Sequence, residues 1–222
     1  MKNRKFLTLL KIIVCTLVMF CIPALTDFLT GIAESRTIAM TVSISTAAMF
    51  LIFFNHQLAG LHFRRFMANP KENLVYIVFA AIVVASVFII SEHFFSFQSE
   101  SIDPEILKNY PFFTPMILIT YTFSYAFCYS ITFKLLTDYI PYHSEPLVTI
   151  LISGVLFTVY LSTSQFALVP LLKQQLDTAV YFKGILVNLI PALCCSYCYN
   201  QTSSIVPMTL GFSLAALIMI FI

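Results

Sequence analysis

LVYIVFAAIVVASVFII, at residues 74–90, contains no charged residue, no proline and no glycine. A backbone can cross the hydrocarbon of a bilayer only when its hydrogen bonds are satisfied internally, which favours a helix for a continuous apolar run of this length. A membrane β-strand would instead alternate apolar and polar residues over about ten positions. The stretch therefore predicts a transmembrane helix and indicates an all-α fold.

Further stretches of the same character lie on both sides of this one. They are residues 6–26, 37–54, 112–133, 146–169, 179–199 and 205–222. Of all residues, 59% are hydrophobic and only 10% are charged, which is too little polar surface for a soluble globule of 222 residues. We therefore expect a single integral membrane domain over residues 1–222, folded as a polytopic helical bundle of about seven spans.

Lysine and arginine residues divide unequally between the two ends of these spans. With the amino terminus in the cytoplasm, the inside would hold Lys2, Arg4, Lys5, Lys11, Arg64, Arg65, Lys71 and Lys134, and the outside Arg36, Lys108, Lys173 and Lys183. Basic residues concentrate on the cytoplasmic side of membrane proteins, so this distribution predicts a cytoplasmic amino terminus. Orientation alone accounts for this modest basic surface, and we expect no nucleic-acid partner.

The internal segment at residues 55–73 combines basic and apolar side chains. His56, His62, Arg64 and Arg65 lie there among leucine and phenylalanine residues. This mixture is typical of a basic amphipathic helix at the membrane interface. We therefore expect membrane lipid to be one partner of the chain.

Candidate catalytic and metal-binding groups are sparse. Acid and histidine residues are neighbours only at Glu92-His93 and between His143 and Glu145, near predicted helix ends, where polar caps are common. No two histidines have the i, i+4 spacing of a metal pair on a transmembrane helix. We therefore predict no metal and no cofactor.

The six cysteines lie in apolar stretches, where cysteine packs as a small hydrophobic residue. Cys195 and Cys198 have the spacing of a redox pair. The surrounding sequence lacks the strand-to-helix setting of a thioredoxin-like site, however. We therefore expect both cysteines to be structural.

Three segments in the second half of the chain resemble one known family. They are YSITFK at residues 129–134, LVTILISGVLF at residues 147–157 and TSSIVP at residues 202–207. In these segments the chain resembles the CAAX protease and bacteriocin-processing (CPBP, or Abi) family of intramembrane endopeptidases. The resemblance implies amino-terminal helices and loops over residues 1–111 and a protease-like helical core over residues 112–222.

The resemblance also implies that the family's catalytic positions are degenerate here. The family's two glutamates fall on Tyr129 and Ser130, and its histidines fall on Leu161 and Phe212. A general base must be ionisable and within hydrogen-bond reach of the attacking water, which serine, leucine and phenylalanine cannot provide. We therefore expect no catalytic residue. The former active-site groove is predicted to be lined by Tyr129, Ser130, Phe133, Lys134, Phe157, Leu161, Phe212 and Ala216.

A degenerate member of this family would act by binding in a bacterial cytoplasmic membrane. The resemblance implies an accessory or regulatory partner of another membrane protein, or a bacteriocin self-immunity protein that holds a hydrophobic peptide. One alternative is an active intramembrane endopeptidase that uses Glu92, His93, His143 or Glu145. Another is a small transporter, although the spans offer few polar residues for a path across the bilayer.

Overall fold

The computed structural model describes residues 2–33, 35–95, 113–140, 145–171 and 178–221. Within these ranges the chain forms eight helices and no strand, which confirms the all-α prediction. The helices are α1 (Lys2–Ala33), α2 (Arg36–Phe54), α3 (His56–Ala68), α4 (Pro70–Phe95), α5 (Thr114–Tyr139), α6 (Pro146–Leu171), α7 (Thr178–Thr202) and α8 (Val206–Phe221).

Five of these helices are long and apolar enough to cross a membrane. The qualifying stretches are Lys5–Ile32, Arg36–Phe54, Pro70–Ser91, Thr114–Tyr139 and Pro146–Thr163, in α1, α2, α4, α5 and α6. α8 contains a shorter apolar stretch, and α3, with 13 residues, is too short to cross. The chain is therefore a membrane-embedded helical protein, while the count of seven spans and the cytoplasmic amino terminus stay predictions.

α5 is the central helix of the bundle. It packs against α1, α2, α6 and α8. Hydroxyl pairs join it to two of these neighbours: Ser124 Oγ lies 3.3 Å from Ser45 Oγ in α2, and Thr122 Oγ1 lies 3.0 Å from Ser213 Oγ in α8. Inside a bilayer the hydrophobic effect does not drive helices together. Interhelical hydrogen bonds of this kind, each contributing about 0.6 kcal/mol, therefore help to hold the bundle together.

Two glycines allow neighbouring helices to approach closely. A Cβ placed on Gly211 of α8 would lie 2.5 Å from the Cβ of Ala80 in α4. A Cβ on Gly154 of α6 would lie 2.6 Å from Cδ2 of Leu193 in α7. Small residues at such contacts let helix backbones pack closely in a membrane. These two glycines therefore permit the close packing of α8 against α4 and of α6 against α7.

Several helix ends meet around α3. α3 packs against the end of α2 and the start of α4, and it also contacts α8. The end of α5 reaches the same place, because Lys134 lies beside Tyr199 near the end of α7. We call this side of the bundle, where α2, α5 and α7 end and α4 and α8 begin, the α3 face.

Candidate functional site

Five of the eight predicted groove residues belong to the main hydrophobic cluster of the bundle, which also includes residues of α1, α2 and α7. Phe133, Phe157 and Leu161 are buried in this cluster, and Tyr129 and Phe212 are partly buried against it. Of these five residues, Phe133 and Phe157 are in direct ring contact; the groove itself stays a prediction.

Aromatic rings fill the middle of this cluster. The ring of Phe133 meets that of Phe157 edge to face, with centroids 5.2 Å apart, and it contacts Tyr199 at 5.8 Å. Phe133 is 0% exposed and Phe157 is 1% exposed. Edge-to-face packing is a favoured arrangement of aromatic rings. We call Phe133, Phe157 and Tyr199 the aromatic plug.

The two polar members of the predicted groove have partners within the chain. Ser130 is buried, and its Oγ donates to the Ala126 carbonyl at 2.8 Å. Lys134 is 8% exposed, pairs with Asp138 of the same helix, and lies 5.3 Å from the centroid of the Tyr199 ring. Pairing of this kind offsets the cost of burying an ammonium group. A partner's carboxylate would therefore compete with Asp138 for Lys134.

The last predicted groove residue lies apart from the plug. Ala216 is partly buried, one turn beyond Phe212 on α8, and is not a member of the cluster. Phe212 itself contacts both that cluster and a second one, which contains Val84 and Ala85 of α4. α8 thus links the predicted groove to α4.

The residues of the protease alternative lie at separate ends of the bundle. Glu92 and His93 occupy the last turns of α4, which begins at the α3 face. Glu145 is exposed just before α6, which follows the end of α5 at that same face. A helix of 26 residues separates its two ends by roughly 39 Å. His143 lies outside the described residues.

A polar junction that the sequence analysis did not identify as a site lies at the α3 face. His62 is 0% exposed, and its Nδ1 lies 3.2 Å from the Ser203 carbonyl oxygen. A carbonyl can only accept, so Nδ1 carries the proton and Nε2 has a lone pair that finds no donor among the described residues. Burial, together with the nearby cations of Lys134 and Arg65, lowers the pKa of His62 to about 4.

Two further hydrogen bonds hold the turn between α7 and α8 against α3. Arg65 Nη1 donates to the Ser203 carbonyl at 2.9 Å, and Ser204 Oγ donates to the His62 carbonyl at 2.8 Å. Ser203 has a φ of 50°, a left-handed conformation that non-glycine residues adopt only when their surroundings hold them. We call His62, Arg65, Ser203 and Ser204 the α3 latch.

The cysteine pair is divided between different neighbours. Cys195 packs in the same cluster as Phe133, whereas Cys198 packs against Ala80 and lies 3.9 Å, Sγ to oxygen, from the Tyr76 carbonyl. Cys195 and Cys198 therefore each pack within a hydrophobic cluster. In the part of the chain that the structure describes, no three His, Cys, Asp or Glu residues lie close enough to hold a metal ion.

An apolar cleft of about 380 Å³ opens far from the plug. It lies between α2 and the start of α5, and is lined by Ile38, Thr41, Phe113, Met116, Ile117 and Thr120. Lys134 and the α3 face are at the other end of α5. The cleft is therefore distinct from the predicted groove.

Comparison of the chain with protein-family models, with curated proteins and with solved structures finds no match. The resemblance to the CPBP family therefore depends on the three segments at residues 129–134, 147–157 and 202–207.

Proposed function

We propose that this chain is a non-catalytic, CPBP-like membrane protein that acts by binding. It would serve as an accessory or regulatory partner of another membrane protein, or as a bacteriocin self-immunity protein that holds a hydrophobic peptide. The observation that carries this proposal is the aromatic plug, with Phe133 and Phe157 in ring contact at 5.2 Å. Hydrolysis needs a water molecule and an ionisable base within reach of it. Phe133 and Phe157, which occupy predicted groove positions, offer no ionisable group to such a water molecule.

The proposal includes a location and a topology. We place the protein in a bacterial cytoplasmic membrane, with seven crossings and the amino terminus inside. α7, with 25 residues, is long enough for a sixth crossing. The seventh crossing is inferred from the apolar run at residues 205–222, which includes α8. The α3 face carries Arg64, Arg65 and Lys71, and basic residues concentrate on the cytoplasmic side.

Binding would use the surface of α5 that precedes Phe133 in the chain, rather than the buried plug itself. Tyr129 is partly buried on α5, and Tyr125, one turn earlier, is 37% exposed. The Tyr125 hydroxyl donates to that of Tyr129 at 3.2 Å, and the rings are 4.6 Å apart. Tyrosine suits a contact of this kind because its ring packs on apolar surface while its hydroxyl forms hydrogen bonds. A helix or peptide within the membrane would contact this pair.

Photo-crosslinking in native membranes tests this proposal. A photoreactive amino acid replaces Tyr125 in one variant and Phe53 in the control variant. Phe53 is 82% exposed on α2, so it reports contacts with the surrounding lipid. We expect a protein or peptide adduct of defined mass at position 125 and none at position 53. Adducts that are the same at both positions, or the lack of any protein adduct, would contradict the proposal.

A further inference from the structure

α3 presents a mixed surface on the sides that do not face the bundle. Leu61, Phe63 and Met67 are exposed, and so is Arg64, while His62 points into the bundle and is buried. A helix of 13 residues cannot cross a bilayer. Apolar side chains beside an arginine suit a helix that lies at the interface, with its apolar groups among acyl chains and its cation among headgroups.

The charge around this helix is basic. α3 itself exposes Arg64 and Arg65 and contains no carboxylate, while the rest of the α3 face exposes Lys71 against Glu72 and Glu145. Lys134 adds no excess charge, since it pairs with Asp138. A guanidinium group matches the geometry of phosphate oxygens and forms two parallel hydrogen bonds with them. The surface therefore complements a negatively charged phospholipid headgroup better than a neutral one.

Arg64 and Arg65 are neighbours in sequence with different surroundings. Arg65 Nη1 donates to the Ser203 carbonyl, so it belongs to the α3 latch, whereas Arg64 lies on the exposed side. Ser204 Oγ, which donates to the His62 carbonyl, also lies 3.3 Å from the backbone nitrogen of Val206 at the start of α8. Anything that holds α3 in place therefore also holds the first turn of α8.

We propose that α3 recognises anionic phospholipid in the leaflet at the α3 face, and that lipid bound there stabilises the turn between α7 and α8 through the α3 latch. Arg64 contacts the headgroup phosphate, and Phe63 and Met67 pack among the acyl chains. Lipid charge thereby determines how often the hydrogen bonds of the α3 latch break. This inference is independent of the proposed partner binding, because it uses another surface of the protein.

Hydrogen–deuterium exchange in nanodiscs tests the inference. The full-length protein is placed in phosphatidylcholine alone and in phosphatidylcholine mixed with phosphatidylglycerol, and exchange is followed in peptides that contain residues 203–206. We expect anionic lipid to slow this exchange about fivefold, the effect of one arginine at a charged surface. Arg64→Gln should abolish the difference, and Arg64→Lys should keep most of it, because lysine retains the charge.

Arg36→Gln is the matched control, since it removes the same charge from the start of α2. That end of α2 lies away from the α3 face, where the helix ends. This control should retain the full response to lipid. Equal exchange of the wild-type protein in the two lipids would overturn the inference. It would also be overturned if Arg36→Gln lost the response as Arg64→Gln does, because lipid charge would then act on the whole protein and not through α3.

Discussion

His62 shows how one side chain can combine burial, charge and backbone geometry. Its Nδ1–H group donates to the carbonyl of Ser203, a residue in the left-handed region of backbone space. Its ring also meets that of Tyr199, a member of the aromatic plug, edge to face with centroids 5.9 Å apart. The neutral form of His62 is favoured first because the ring is buried, and also because protonation would add a cation near Lys134 and Arg65. At the residue scale, therefore, His62 connects the latch to the plug.

The first prediction concerns acid stability. The pKa of folded His62 is about 4, below its ordinary value of 6.5, so the unfolded chain binds more protons between these two values. The stability that neutral His62 contributes is complete above pH 6.5 and is lost as the pH falls toward 4. We expect the wild-type protein to lose about 1–3 kcal/mol more than His62→Gln over this interval.

Thermal unfolding of both proteins in one detergent at pH 7 and pH 4.5 measures this difference. Carboxylates that titrate in the same interval are common to both proteins and cancel in the comparison. Parallel losses of stability in the two proteins would show that His62 is not the group responsible.

The second prediction concerns the aromatic plug. Phe157→Ala should destabilise the protein by about 3–5 kcal/mol, because it leaves a cavity against Phe133 in a closely packed interior. The control is Phe53→Ala, which removes the same ring from an exposed position on α2 and should change stability by less than about 0.5 kcal/mol. Equal effects in a thermal unfolding assay would mean that the plug is not tightly packed in solution.

At the scale of single helices, sequence predicted where the helices lie better than where they end. Residues 37–54 were predicted as a span, and α2 runs from Arg36 to Phe54. α5 continues to Tyr139, beyond the predicted end at residue 133, because Lys134 and Asp138 are one turn apart and neutralise each other. α4 begins earlier than the apolar run because Pro70 is compatible with the first turn of a helix.

The third prediction concerns the contact between α4 and α8. Gly211→Ala would place a methyl group 2.5 Å from the Ala80 Cβ and 3.0 Å from the Ile77 carbonyl oxygen, neither of which can move without the α4 backbone. We expect a loss of about 1–3 kcal/mol, the usual cost of overpacking. The opposite result is expected for Gly184→Ala in α7, where the added Cβ meets nothing within 4 Å.

Gly184→Ala should leave stability unchanged or raise it by up to about 1 kcal/mol, since alanine favours helix more than glycine. Thermal unfolding in a single detergent compares the two variants directly. If Gly211→Ala proves as stable as Gly184→Ala, then α4 and α8 are further apart than the structure places them.

Across the whole molecule, the sequence indicated the membrane helices but not the latch. Apolar runs predict spans because the bilayer imposes one physical requirement on each segment separately. The segment with His62 and Arg65 was predicted as an interfacial helix, and α3 confirms the helix. Its hydrogen bonds to Ser203 join residues 141 and 138 positions apart, and no local pattern encodes such a contact.

The predicted groove also shows that sequence reveals which residues are apolar but not how they pack. Sequence showed that Phe157, Leu161 and Phe212 are apolar, but an apolar lining could surround an open groove or fill it. Only the ring contact between Phe133 and Phe157 shows that the centre is filled. The choice depends on tertiary packing, which a single sequence does not reveal.

The fourth prediction concerns topology. An odd number of crossings places the two termini on opposite sides of the membrane, so seven spans predict an amino-terminal tag inside and a carboxyl-terminal tag outside. Tag accessibility to protease in intact and permeabilised cells measures this directly. Both tags on one side would mean an even number of crossings, with α7 or α8 failing to cross.

The most direct test of the central claim, that this protein acts by binding and not by hydrolysis, is affinity purification from native membranes in mild detergent with quantitative mass spectrometry. We expect a membrane protein or hydrophobic peptide to be recovered in stoichiometric amount with the wild-type chain, and to be lost when Tyr125 and Tyr129 are replaced by alanine. Recovery of the chain alone, together with cleavage of membrane reporter peptides that disappears when Glu92, His93, His143 and Glu145 are changed to alanine, would contradict it.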